Sequence, residues 1–201
     1  MLDADFFRRW LAAAATAVDR EADRLTELDS AIGDADHGSN LRRGFAAVTD
    51  ALAEGDTATP GAVLTLAGRQ LISKVGGASG PLYGTLLRTT GKALGDAPEV
   101  TREQLADALR AGVDAVAKLG GAAPGDKTML DALVPAVDAL GTSFDAAREA
   151  AGKGAEATTP LQARKGRASY LGERSIGHQD PGATSSALLV AALAQTAEAA
   201  V

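Results

Sequence analysis

The sequence predicts an all-α protein, a bundle of about eight antiparallel helices with polar loops gathered at one end. Apolar residues recur at helical spacing along the chain, and no segment of strand length alternates between apolar and polar residues. Apolar residues make up 46% of the chain but aromatic residues only 3%, so alanine, leucine and valine must form the core. The length of 201 residues fits a single domain that covers 1–201.

The first helix is predicted to begin near Phe7 and to continue for about 25 residues. Its apolar positions Leu11, Ala14, Val18 and Leu25 are three, four or seven residues apart, and charged residues occupy the other faces. A helix with this pattern buries its apolar face against its neighbours. It ends beside a cluster of aspartates.

Three more helices are expected in the first half of the chain. The second lies at 40–53, the third at 61–74, and the fourth at 82–94. Glycine and proline separate them, first in the turn 55–60 and then in the glycine-rich stretch 76–81. These short connections predict that neighbouring helices run in opposite directions.

Four helices are expected in the second half. The fifth covers 101–119, where Thr101 and Gln104 have the spacing of a capping box. The sixth contains the apolar positions from Met129 to Leu140 and is expected to bend at Pro135. The seventh covers 143–158 and the eighth 183–199. Residues 163–182 have no helical or strand period, which is typical of a functional or a disordered loop.

The charge balance limits the classes of partner. The formal net charge is −6 and the isoelectric point about 4.9, so binding to nucleic acid or to an anionic membrane is not expected. The absence of cysteine excludes disulfides and thiolate chemistry. The N-terminus is acidic where a signal peptide is basic, and no apolar run approaches the roughly 20 residues that span a bilayer. The sequence therefore predicts a cytoplasmic protein.

Three aspartates, Asp29, Asp34 and Asp36, lie between the first two helices. Helix capping explains one of them, whereas three carboxylates this close repel one another unless a cation neutralises them. On this stretch alone, a cap and a metal site both stay open. An EF-hand is excluded, because the twelfth loop position is Asn40 or Phe45 rather than glutamate. Oxygen ligands suit magnesium, which usually completes its shell with substrate phosphates.

Two glycine-rich stretches that precede helices are candidate anion sites. Residues 76–81 offer backbone amides to a phosphate, although a flexible helix connection is the simpler explanation. A serine-hydrolase elbow is excluded there, because Pro81 stands where glycine is required. Residues 120–128 look like a P-loop, but Asp126 separates the second glycine from the lysine. A simple helix cap at Asp126 is the favoured interpretation of that stretch, and a ligand site with Met129 as an apolar platform is the alternative.

The late loop concentrates positive charge in an acidic protein. Its cations are Arg164, Lys165, Arg167 and Arg174. A solvated surface loop and a loop that binds polyphosphate both explain this composition. The two histidines, His37 and His178, lie in similar acidic, glycine-containing turns, and His178 receives no role.

Four motifs in order identify a family resemblance. They are Gly-Asp-Ala-Asp-His-Gly-x-Asn at 33–40, Gly-Gly-Ala-Ser-Gly-Pro at 76–81, Gly-Asp-Lys-Thr-Met at 125–129, and the segment 162–185 around Gly-His-Gln-Asp-Pro-Gly. Together they resemble the L subunits of dihydroxyacetone kinases over essentially the whole chain. The resemblance implies an all-α barrel of eight antiparallel helices with a nucleotide held by the loops at one end.

The resemblance also implies site residues. Asp29, Asp34 and Asp36 match the family's ligands for two Mg²⁺ ions that bridge the phosphates of ADP or ATP. The matched nucleotide-binding positions are His37, Gly38, Ser39, Asn40, Ala78, Ser79, Gly121, Met129, Arg167, Asp180, Pro181 and Gly182. Among these, Gly121 and Met129 fall where the family shapes the adenine and ribose site. No general base is assigned, and Ala35 departs from the glycine expected in many relatives.

The activity implied by the resemblance needs partner subunits. ADP stays bound as a cofactor, an M subunit of the phosphotransferase system rephosphorylates it, and the γ-phosphoryl passes to dihydroxyacetone on a K subunit. The close alternative is a subunit that exchanges free ATP and serves dihydroxyacetone or another small ketose. A third alternative is a nucleotide-responsive module that regulates a transcription factor, and a purely structural bundle is the simplest one. A homodimer is left open.

Overall fold

Eight α-helices build the structure, a computed structural model that describes residues 1–199. The helices are α1 Ala4–Ile32, α2 His37–Glu54, α3 Pro60–Lys74, α4 Ser79–Leu94, α5 Arg102–Gly120, α6 Leu130–Leu140, α7 Phe144–Ala157 and α8 Pro181–Glu198. A 3₁₀ helix covers Arg167–Ser175, and two short strands, β1 Leu2–Asp3 and β2 Glu99–Val100, pair antiparallel. Within residues 1–199, no helix combines the length and the apolar character needed to cross a membrane.

The predicted all-α class is confirmed, with differences at the helix starts and in the late loop. The helices α1, α2, α4 and α8 begin two or three residues before their predicted starts. In α2, α4 and α8 the periodic apolar pattern starts late, because glycine, serine and proline occupy the first turns, where N–H groups need no helical partner. Part of the late loop, expected to have no period, is the 3₁₀ helix, which breaks at Gly172 with φ +57°. The β1–β2 pair is too short to show alternation.

Capping residues explain where several helices begin. The Asp3 carboxylate accepts a hydrogen bond from the Phe6 amide at 2.8 Å at the start of α1. The predicted capping box of Thr101 and Gln104 is present at α5, with both of its hydrogen bonds formed. Asp180 caps α8, and Pro181 supplies the first helical residue. Each cap satisfies backbone N–H groups that the helix itself leaves free.

The helices close into a ring. Each helix packs against the next one along the chain, and α8 packs against α1. Trp10 of α1 stabilises the contact between α1 and α8, because its Nε1 donates a hydrogen bond to the Leu189 carbonyl of α8 at 2.9 Å. Since consecutive helices run in opposite directions, the connections α1–α2, α3–α4, α5–α6 and α7–α8 meet at one end of the bundle.

The α3–α4 contact brings two backbones unusually close through paired glycines. A Cβ atom added at Gly68 would lie 2.6 Å from the Gly84 carbonyl oxygen, and one added at Gly84 would lie 2.7 Å from that of Gly68. Only glycine permits such an approach, because any side chain would overlap backbone atoms that cannot move away. This packing positions the first turn of α4 at the loop end of the bundle.

Candidate functional site

A cavity of about 180 Å³ opens at the end of the ring where these four connections meet. All four contribute to its lining, although they are distant in sequence. The sequence-predicted residues that line it are Asp29, Asp34, Asp36, His37, Ala78, Ser79, Met129, Arg167, Asp180, Pro181 and Gly182. The structure therefore brings most of the predicted site into one place.

Three predicted residues of α2 do not line this cavity. Gly38 faces α1, where an added Cβ would lie 1.9 Å from the Ala22 carbonyl oxygen. Ser39 is exposed, and its hydroxyl donates to the Asp36 carbonyl at 3.0 Å. Asn40 is buried next to Gly76 of the α3–α4 connection, and its Oδ1 accepts a hydrogen bond from Arg43 at 2.6 Å. These residues shape the helix that carries His37.

The three aspartates form a compact carboxylate cluster. One oxygen from each of Asp29, Asp34 and Asp36 lies within 4.8 Å of the others. Three like charges at this separation repel one another strongly unless a cation lies among them. An all-oxygen donor set suits Mg²⁺, and the residues present therefore fit the ion that the family resemblance implies.

Asp29 combines the two roles that the sequence left open. Its Oδ2 accepts hydrogen bonds from the amides of Asp36 at 2.9 Å and His37 at 3.1 Å, so it caps α2 from the last turn of α1. Its Oδ1 borders Gly33, where an added Cβ would lie 2.0 Å away. Ala35, between Asp34 and Asp36, adopts φ +62°, the left-handed conformation in which glycine has no steric penalty.

Arg167 reaches the same cluster from the late loop. Its Nη2 lies 3.0 Å from Asp34 Oδ2, and both side chains are partly in solvent. The predicted positive charge of this loop is thus directed at the carboxylates, beside Lys165 and Gly166 in the cavity wall. A phosphate placed between the guanidinium and a cation on the cluster would contact both positive charges.

A buried hydrogen-bond network lies beneath the cluster. His37 contacts Ser185 Oγ through Nε2 at 2.8 Å and Ser79 Oγ through Nδ1 at 3.1 Å. Tyr83 continues the network, because its hydroxyl lies 2.7 Å from Ser185 Oγ and 2.8 Å from Ser186 Oγ. The network joins the start of α2 to α4 and α8, and so fixes the orientation of the imidazole.

Burial sets the protonation of this network. Desolvation lowers the pKa of His37, although the nearby carboxylates Asp29 and Asp36 act in the opposite direction. The lowered pKa favours a neutral ring that donates from one nitrogen. The same cause raises the pKa of Tyr83 to about 12, so its hydroxyl keeps its proton. Asp180 is also buried, and its pKa is raised to about 7, mainly by desolvation.

A second, more apolar cavity of about 300 Å³ adjoins the first. The two share Ala78, Leu82, Thr128, Met129, Lys165 and Gly166, and the second is lined further by Val116, Leu119 and Leu130. Gly121 lines neither cavity, although its neighbours Gly120 and Ala122 line the second one. It ends α5 in the left-handed conformation, with φ +56°. Gly121 therefore shapes the turn after α5 that forms part of the wall of the second cavity.

The first cavity also contains residues that were not predicted as metal or nucleotide ligands. They are Ile32, Gly77, Leu82, Tyr83, Lys127, Thr128, Lys165, Gly166 and Ala168. Lys127 and Thr128 lie inside the 125–129 motif, so motif membership was an available signal. Tyr83 is the one aromatic residue of α4, and its burial among serines depends on α8, which no local pattern reveals.

Comparisons with known proteins point to nucleotide-dependent kinases. The model of the DAK2 domain matches residues 31–195. The ADP-binding subunit DhaL of the PEP-dependent dihydroxyacetone kinase of Escherichia coli (strain K12) is 45% identical, over 94% of this chain and 95% of that protein. The L-erythrulose 1-kinase of Mycolicibacterium smegmatis is 41% identical, over 88% of this chain but 33% of that protein.

A solved structure extends the similarity to three dimensions. The dihydroxyacetone kinase from C. freundii in complex with AMP-PNP and Mg²⁺ matches with a TM-score of 0.79 and 26% identity. The match covers 95% of this chain and 34% of the kinase chain. The ring of helices described above is thus a fold that this kinase also contains.

Proposed function

Because this chain belongs to the DAK2 domain family, we propose that it is the ADP-binding subunit of a phosphotransferase-dependent dihydroxyacetone kinase. The bound ADP is rephosphorylated in place, and the γ-phosphoryl passes to dihydroxyacetone held by another subunit, which yields dihydroxyacetone phosphate. The observation that carries the proposal is the cluster of Asp29, Asp34 and Asp36 beside the cavity, in a chain similar to such subunits over nearly its full length.

The nucleotide is proposed to occupy both adjoining cavities. The apolar one, with Leu82, Val116 and Met129 in its wall, suits an adenine ring because it offers flat apolar contact area. The first cavity, which contains the carboxylates and Arg167, suits the phosphates. Two Mg²⁺ ions on the carboxylate cluster would neutralise phosphate charge and polarise the group that is transferred.

The chain's own groups favour phosphate binding in three ways. The carboxylates would hold divalent metal, Arg167 supplies positive charge at the edge of the same cluster, and the first turn of α4 at Ser79 carries N–H groups that no capping side chain occupies. Helix N-termini attract anions for this reason. These groups position and stabilise the phosphoryl group, and the proton of the acceptor hydroxyl is left to the sugar-binding subunit.

The proposed activity needs partners. A K subunit that binds dihydroxyacetone would accept the phosphoryl group, and an M subunit of the phosphotransferase system would regenerate ATP. Control of a transcriptional regulator through the same loop end can coexist with this activity. We also propose that 1–201 forms one domain, which is supported by the closure of the ring between α1 and α8.

A second candidate is a subunit that exchanges free ATP for a small ketose other than dihydroxyacetone. It is favoured by the similarity to the L-erythrulose 1-kinase, in which the matched region is about a third of the chain. In that case turnover would not depend on a phosphocarrier, and bound ADP would exchange rapidly with free ATP.

One reconstitution separates these candidates. The chain is combined with a K subunit and either dihydroxyacetone or erythrulose, and supplied with ATP alone or with phosphoenolpyruvate and the phosphocarrier proteins. The proposed function predicts sugar phosphate from dihydroxyacetone only with the phosphocarriers, at one bound ADP per chain. Formation of sugar phosphate from ATP alone would favour the second candidate. A chain that retains no Mg-ADP and relays no phosphate would refute both.

A further inference from the structure

Lys127 is a buried lysine for which the proposed function has no use. Its exposed fraction is 1%, and its backbone adopts φ +63°, a left-handed conformation that is unfavourable for a residue with a side chain. Burial of an ammonium group and a strained backbone both cost free energy, so the rest of the structure must compensate for them. Its contacts show what the lysine holds.

The ammonium group joins the two ends of segment 161–175, which contains most of the late loop. Lys127 Nζ donates to the Leu161 carbonyl at 3.0 Å and to the Ser175 carbonyl at 2.7 Å. Ser175 closes the loop on itself, because its Oγ accepts from the Ala163 amide at 2.9 Å and donates to the Gly172 carbonyl at 2.6 Å. Residues 161–175 therefore form a loop that is closed at its base by Lys127 and Ser175.

This loop carries Arg167 and has few apolar contacts of its own. Ala163 and Ala168 pack with Ile32 of α1 in a small cluster separate from the main core. Tyr170 is 90% exposed, and the Arg167 side chain is 68% exposed. With so little apolar burial, the loop depends on its polar anchors for a fixed position.

We propose that Lys127 is a positioning residue that holds loop 161–175 over the cavity and thereby slows the release of bound ADP. The inference rests on the proposed function, because it assigns the bound nucleotide to this cavity. Lys127 acts through the loop: its ammonium fixes the base, and the fixed base keeps Arg167 on the phosphate side of the cavity. Loss of the ammonium frees the loop to open and let the nucleotide leave.

The test measures the dissociation rate of a fluorescent Mg-ADP analogue from the full chain after addition of excess ADP. Lys127→Met, which keeps an unbranched apolar stem, should raise this rate at least tenfold. Lys153→Met is the matched control, because that lysine is exposed on α7 with its ammonium 3.7 Å from Glu149, and it should leave the rate unchanged. Thermal unfolding of each metal-free and nucleotide-free variant records whether the chain is folded.

A double-mutant cycle separates positioning from a general loss of structure. If Lys127 acts through Arg167, then Lys127→Met should change the dissociation rate less than threefold in a chain that already carries Arg167→Met. A purely structural lysine would raise the rate by the same factor in both chains. That equal factor, or a rate within twofold of the unmodified chain for Lys127→Met alone, would overturn the proposal.

Ser175→Ala provides a route if Lys127→Met does not fold. It removes the hydroxyl that closes the same loop and leaves the buried ammonium in place. The variant should also speed release of the analogue and raise hydrogen exchange at 161–175 without raising it in α1 to α5. Unchanged exchange at 161–175 in both variants would overturn the anchoring role. Because that readout needs no nucleotide, failure of the unmodified chain to bind Mg-ADP would count separately, against the proposed function.

Discussion

Arg167 and Asp34 form an ion pair across the opening of the cavity, with Nη2 3.0 Å from Oδ2. A pair this exposed contributes little to the stability of the fold. Its importance is for ligands, because the guanidinium neutralises a carboxylate that the proposed metal site also requires. Arg167 therefore competes with a free cation for Asp34 but attracts the phosphates of a bound nucleotide.

Arg167→Met should consequently change two affinities in opposite directions. Binding of Mg-ADP should weaken by about tenfold, because a charge-assisted contact to phosphate is lost. Binding of Mn²⁺ as a probe ion, in the absence of nucleotide, should strengthen, because Asp34 loses its competing cation. Calorimetry measures the first affinity and electron paramagnetic resonance the second. Weakening of both would show that the ion pair organises the carboxylates instead of competing for them.

Alanine at Asp29 and at Asp34 should separate capping from metal binding. Both substitutions should abolish retention of Mg-ADP, because each removes a proposed oxygen ligand. Only Asp29→Ala should also lower the free energy of unfolding without ligand, by about 1 kcal/mol, because it removes the acceptor that caps α2. Urea unfolding without nucleotide or metal checks the difference. Equal stabilities of the two variants would contradict the capping role.

Gly33→Ala should impair metal binding while leaving every proposed ligand in place. The added Cβ would fall 2.0 Å from Asp29 Oδ1, so the carboxylate or the loop must shift. We expect about a tenfold loss of Mg-ADP affinity by calorimetry. Gly152→Ala is the matched control, because nothing lies within 4 Å of an added Cβ in α7 and alanine favours the helix by about 0.5–1 kcal/mol. If both variants bound Mg-ADP with similar affinity, a steric clash at Gly33 would not explain the effect.

Asp180 should make the stability of the ligand-free chain depend on pH. In the folded protein burial raises its pKa from 3.8 to about 7, so the folded state retains a proton that the unfolded chain has lost. The contribution of this group is therefore complete below about pH 4 and is lost as the pH rises through 7. Its slope is at most about 1.4 kcal/mol per pH unit.

Asp180→Asn is the variant that isolates this effect. Asparagine can still cap α8 but does not titrate, so it should remove the decline between pH 4 and 7. Urea unfolding at pH 5, 6, 7 and 8, without metal or nucleotide, gives the comparison. Parallel stability curves for the variant and the unmodified chain would show that Asp180 is not the responsible group.

The helices were predictable because each carries its own evidence in sequence. The apolar spacing of α1 and the capping box of Thr101 and Gln104 are local, and the structure contains both. The packing of Gly68 against Gly84 was not predictable, since each glycine looks like an ordinary weakness in a helix until the partner helix is known. Tertiary contact decides the meaning of such residues.

The part of the site that depends on residues close in sequence, such as the aspartate cluster, was predictable. The part that depends on the direction in which a helical side chain points was less predictable. Successive residues of a helix point about 100° apart, so His37 at the start of α2 lines the cavity while Ser39 and Asn40 do not. The role of Lys127 depends on carbonyl groups 34 and 48 residues away. A linear motif marks such a lysine without saying which way it points.

The closed ring has a consequence for how the protein can be joined to others. The helix α1 is about 43 Å long and ends at the cavity, whereas α8 is about 27 Å long and begins there. Both therefore have their outer ends at the far side of the bundle. A tether or a second folded unit attached beyond either end would leave the nucleotide opening uncovered. Linker length, rather than obstruction, would then set how readily an attached acceptor unit could reach the phosphoryl group.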